Sequence, residues 1–63
     1  MTDLILTPNI PAPDDFYAEL LATHDGLTSD QSNALNARLI LILANHIGDR
    51  TTLTQALATA KTV

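Results

Sequence analysis

The chain has 63 residues, no cysteine and a net charge of −4, from three basic and seven acidic side chains. This length allows one small domain, the absence of cysteine excludes disulfides and thiolate metal sites, and the acidic excess disfavours nucleic acid or an anionic membrane as a partner. A domain this small gains little net stability from its own core. We therefore expect a partner chain, or a metal held by histidine or carboxylate, to stabilise it.

Residues 1–13, MTDLILTPNIPAP, are predicted to form an extended N-terminal arm. Pro8, Pro11 and Pro13 fix their own φ angles and disfavour helix in the residues before them. No secretion signal is recognised, and the longest apolar run is far shorter than the about 20 residues that span a bilayer, so the expected location is the cytoplasm. Three apolar residues of the arm are expected to pack on the helices: Leu4, Leu6 and Ile10.

Residues 14–63 are predicted to form an all-α domain of three helices, at about 14–25, 29–47 and 50–60. Asp14 and Asp15 suit the positive end of the first helix dipole, and Gly26 is expected to end that helix in a left-handed conformation. The short loop that follows predicts an antiparallel hairpin of the first two helices. The apolar face of the first helix is predicted to contain Phe16, Tyr17, Leu20, Leu21 and His24.

The second helix is bounded by strong local signals. Thr28 and Gln31 have the spacing of a capping box, and Gly48 is expected to end the helix. Asp49 can then accept hydrogen bonds from the first N–H groups of the third helix. Lower helix propensity is expected in this third helix, because several threonines lie along it.

The second helix is apolar over an arc of roughly 160° at 100° per residue, which is wider than one neighbouring helix can cover. The uncovered part predicts a symmetric homodimer interface. Asn36 lies inside this arc, where it either fixes the register of the interface or bonds a backbone group such as one in the arm. The predicted interface residues are Leu35, Asn36, Leu39, Ile40, Ile42, Leu43 and Ile47.

His24 and His46 are the only histidines, and each lies near the end of its helix, where a cation stabilises the dipole. A hairpin places them roughly 15–20 Å apart, so a metal site within one chain is not expected. A site across a dimer axis, with Asp25 or Asp49 as a further ligand, is the alternative. No catalytic triad, glycine-rich phosphate loop or zinc-protease pattern is present in the sequence.

The segment ANHIGDRTTL has the spacing of a helix-turn-helix. Only Arg50 and Lys61 are basic in or near the presumptive recognition helix, and the chain is acidic. The phosphate contacts would be too few to hold DNA at physiological salt. A DNA-binding module is therefore a minor alternative.

The segments PNIPAPDDFYAELLATHDGL and LNARLILILANHIGD resemble a family of short bacterial proteins catalogued as a domain of unknown function. The shared pattern is a PNIP arm, a DDFY helix start, an H-x-GL turn and the segment NARLIL-x-LANHIGD. The resemblance implies a small helical protein with no assigned activity. Members are often encoded near flavin-dependent hydroxylases of aromatic breakdown, which implies an accessory role, and no functional residue can be carried over.

The function expected from the sequence is therefore a non-enzymatic, homodimeric protein-association module, accessory to a larger flavin-dependent oxidoreductase. No cofactor, nucleic acid or membrane is expected as a ligand. The first alternative is a small-ligand or metal-binding protein with a histidine site at the dimer interface. The second is the DNA-binding module.

Overall fold

The computed structural model describes residues 3–62, which form three helices in chain order: α1 (Pro13–Thr23), α2 (Ser29–Ile47) and α3 (Arg50–Lys61). Within these residues there is no strand. The all-α fold class is confirmed. The predicted arm and helical domain also include residues 1, 2 and 63, which lie outside the described residues.

Helix α1 begins at Pro13, whose missing N–H costs nothing in a first turn, and Asp14 and Asp15 follow it. Ala12 precedes the helix with φ at 49°, in the left-handed region. The helix ends at Thr23, two residues before the predicted end at 25. The N–H of His24 bonds a carbonyl three residues back, at 3.0 Å, and this tighter turn leads into Gly26 at φ 78°.

Helix α2 has the predicted capping box at its start. The Gln31 N–H donates to Thr28 Oγ1 at 3.2 Å, and the Thr28 N–H donates to Gln31 Oε1 at 3.0 Å. Gly48 ends the helix at φ 72°, and its N–H donates to the Ala44 carbonyl at 2.9 Å. These bonds satisfy polar groups that every helix end leaves without an intrahelical partner.

Asp49 starts α3, as predicted. Its Oδ2 accepts from the Thr52 N–H at 2.8 Å and also from the Thr52 hydroxyl. These two bonds hold the pKa of the Asp49 carboxyl below its usual value, because they favour the charged form. Thr52 is itself buried. Its two bonds to Asp49 fix the turn between α2 and α3 locally.

The arm contacts the helices less than the sequence predicted. The Leu4 N–H donates to Gln55 Oε1 at 3.1 Å, which ties the start of the arm to α3, and Leu4 is half-buried. Leu6 and Ile10 are exposed, so the prediction that they pack on the helices is wrong. Beyond Leu4 the arm bends at Thr7 and again at residues 10–12, just before α1.

The three helices do not pack closely against one another along their lengths in the described part of the chain. The short turn after α1, from which an antiparallel hairpin was predicted, is present, but α1 and α2 are not in extensive contact. The radius of gyration is 13.5 Å, whereas a compact domain of this length has about 11 Å. The described part of the chain is therefore open, with helix faces that no other described segment covers.

Candidate association surface

Partial burial in the described residues is spread over the start of the arm and all three helices. No apolar side chain among residues 3–62 is fully buried. The half-buried apolar side chains are Leu4, Leu20, Leu35, Leu39, Ala44, Leu53 and Ala56. Residues 3–62 therefore have no closed apolar core.

The predicted interface of α2 divides into two groups. Leu35 and Leu39 are half-buried by the same chain, so part of their surface is already covered. The other five residues are exposed, and Ile40 is 62%, Leu43 49% and Ile47 50% accessible. The exposed members are Asn36, Ile40, Ile42, Leu43 and Ile47. Their role as an interface stays a prediction.

An apolar groove of about 500 Å³ lies between the C-terminal half of α2 and the length of α3. Ile40, Leu43 and Ile47 line its α2 wall, and Leu57, which is 70% exposed, lies on its α3 wall. The α3 wall also contains the small residues Ala56 and Ala60. We call this feature the α2–α3 groove. Its turn end is held by the Asp49–Thr52 bonds described above.

Asn36 lies one helical turn before Ile40, in line with the α2 wall of the groove. It is exposed, and within residues 3–62 its side chain has no hydrogen-bond partner. The backbone bond that the sequence left open, for example to the arm, is therefore not formed in the single chain. The Asn36 side chain requires a hydrogen-bond partner only if another molecule covers this face of α2.

The two histidines lie far apart. His24 Nδ1 is 2.9 Å from Ser32 Oγ, a contact that joins the end of α1 to the first turn of α2. His46 is exposed in the last turn of α2. It lies about 21 Å along the helix from Ser32, at 1.5 Å per residue. Among the described residues no three histidine, aspartate or glutamate side chains converge as metal ligands.

Ser32 was not anticipated from the sequence. It follows a helix start and carries no motif, so only its placement across the turn from His24 reveals its role. The contact gives His24 a structural function, and Asp49, a suggested further ligand, is bonded to Thr52. A histidine site between two copies would therefore have to rely on His46 and Asp25.

The single chain exposes far more surface than a folded monomer of its mass. A monomer of 6.7 kDa is expected to expose about 3,900 Å², and its extended chain about 9,700 Å². This chain exposes 5599 Å². It therefore buries about 42% of its extended surface instead of about 60%, a deficit of about 1,700 Å².

These features define a class of protein: a small all-α chain with open apolar helix faces. Residues 4–62 match the family described as "Protein of unknown function (DUF2783)". The match covers nearly the whole chain, so the protein belongs to this family, and the resemblance inferred from the sequence is confirmed. Among curated proteins and among solved structures, no match to the chain is found.

The long apolar run in α2 does not make it a membrane span. Of the helices in residues 3–62, none has both the length and the hydropathy needed to cross a bilayer.

Proposed function

We propose that this protein is a non-enzymatic association module that folds as an obligate homodimer, with α2 at the centre of the interface. The observation that carries the proposal is the surface deficit of about 1,700 Å² per chain, together with the lack of any fully buried apolar side chain in residues 3–62. A chain in this condition has too little buried surface to offset its conformational entropy.

The size of the deficit favours a second copy as the cover. Two chains that each bury about 1,700 Å² form an interface of about 3,400 Å², within the range of obligate homodimers. A two-fold dimer buries the same patch on both chains and closes the assembly. The apolar α2–α3 groove has the composition that such interfaces show at their centres.

The proposal is tested by sedimentation velocity at micromolar concentration, with circular dichroism over a dilution series. The expected result is a dimer whose helicity falls on dilution, because folding and association are coupled. A folded, helical monomer at micromolar concentration would overturn the proposal.

Two matched variants locate the interface. Leu43→Asp places a charge in the groove and should dissociate and unfold the protein, because an unpaired charge cannot be buried cheaply. Leu41→Asp is the control, since Leu41 is 70% exposed and does not line the groove. It should remain dimeric and helical. Dissociation by Leu41→Asp alone would place the interface on the other side of α2.

We further propose that the dimer serves a larger flavin-dependent oxidoreductase as an accessory protein. The family resemblance supports this role, and so do the apolar side chains that lie outside the groove, including Phe16, Tyr17 and Leu41. The test is affinity capture from the native host with tagged wild-type protein and a Tyr17→Ser variant. Capture of a flavoprotein that is lost with the variant is expected; capture of no oxidoreductase would contradict the role.

A further inference from the structure

The exposed stripe on α2 has the spacing of a coiled-coil seam. Asn36, Ile40, Leu43 and Ile47 follow one another at intervals of four, three and four residues. This spacing assigns Ile40 and Ile47 to a positions of a heptad and Asn36 and Leu43 to d positions. All four side chains are exposed in the single chain, so the seam has no partner within it.

We infer that two copies pair with their α2 helices parallel and in register along this seam, an inference that rests on the proposed homodimer. Among parallel coiled coils, isoleucine at a with leucine at d is the combination that favours two strands over three or four. The neighbouring e positions are the small residues Ala37 and Ala44, so two helices can approach closely there. The g positions are Leu39 and His46, and neither e nor g carries a formal charge that would favour an antiparallel pair.

Asn36 distinguishes the two directions. In a parallel, in-register pair it faces Asn36 of the second copy, and two amides can satisfy each other's donors and acceptors. An antiparallel pair that covers the same stripe places Asn36 against Ile47 twice. That arrangement buries two amides without partners, which is unfavourable. Parallel pairing therefore gives Asn36 the partner that it lacks in the single chain.

The α2–α3 groove provides space for this pairing. With α2 of one copy placed along the seam of the other, its side chains also meet the α3 wall, where Ala56 and Ala60 leave room and Leu57 is 70% exposed. The two-fold axis repeats the arrangement. Each copy thus contributes one helix to the groove of the other, and the four helices α2 and α3 of both chains enclose a common core.

The natural chain has no cysteine, so single cysteines report the direction without background. Asn36→Cys and Ile47→Cys are prepared separately in the full-length chain and oxidised, with Arg38→Cys, on the outer face of α2, as the control. Disulfides require Cα atoms closer than about 7 Å. Parallel pairing brings residue 36 to residue 36 and residue 47 to residue 47, whereas the antiparallel pair separates each like pair by about 16 Å.

The expected result is a covalent dimer with Asn36→Cys and with Ile47→Cys, and none with Arg38→Cys, on non-reducing gels and by peptide mass mapping. A disulfide that forms only when the Asn36→Cys and Ile47→Cys proteins are mixed would overturn the parallel arrangement. So would the absence of any disulfide in both variants while sedimentation shows a dimer. A monomer in sedimentation would instead refute the homodimer itself, so the two failures are distinguishable.

Discussion

The substitution Ile40→Ala distinguishes the open single chain from the proposed dimer, because it is expected to change the free energy of unfolding in opposite directions in the two cases. Ile40 is 62% exposed in the single chain. If it stays exposed, Ile40→Ala should raise the free energy of unfolding by a few tenths of a kcal/mol, because alanine has the higher helix propensity. If a second copy buries it, removing its side chain should cost about 2–5 kcal/mol at each of the two sites in a dimer.

The assay is urea unfolding followed by circular dichroism at several protein concentrations, and the neighbouring Leu41→Ala is the control. Leu41 is 70% exposed and does not line the groove, so its change should stay within about 0.5 kcal/mol of zero. The midpoint of Ile40→Ala should fall and should depend on concentration. Equal, small effects at both positions would refute the reasoning.

Three further changes test the local structure that frames the groove. The lowered pKa of Asp49 means that its charged form stabilises the fold at pH values above its unfolded pKa, near 3.8, and that this contribution is lost as the pH falls through the lower folded value. Asp49→Asn should therefore not show this loss of stability in acid. An acid unfolding profile identical to that of the natural protein would contradict the prediction. Gly48→Ala should destabilise by about 1–2 kcal/mol in thermal unfolding, because φ is 72° and the nearest atom to an added Cβ is at 3.8 Å, so backbone strain is the whole cost. An effect near zero would show that this turn is not left-handed in solution. Thr28→Ala should cost about 1 kcal/mol by loss of the capping box, with Thr28→Ser as the conservative control that retains it.

Local chemistry made the helix boundaries predictable. Three signals act within one turn of the chain: the capping box of Thr28 and Gln31, the left-handed Gly48 and the N-cap Asp49. The hydrogen bonds that they form depend little on distant residues. The end of α1 was predicted less well. His24 and Asp25 continue the helical pattern in the sequence, and a tighter hydrogen-bonded turn ends the helix before them.

Packing over longer distances was not predictable in the same way. Leu6 and Ile10 are apolar, which predicts burial but does not identify the surface that buries them, and within residues 3–62 both are exposed. The contact between His24 and Ser32 depends on the path of the turn between two helices. Neither residue type indicates that path, so the contact emerged only from the structure.

The sequence and the structure both indicate that the apolar arc on α2 is wider than its own chain covers. An arc that wide needs cover on more than one side. The structure supplies part of the cover at Leu35 and Leu39, and leaves the stripe from Asn36 to Ile47 open. An aggregation-prone patch would offer no reason for a lone asparagine or for the ordered heptad spacing. The proposed seam between two copies would account for both, because it would bury the isoleucines and the leucine, and Asn36 would favour the one alignment in which its amide is satisfied.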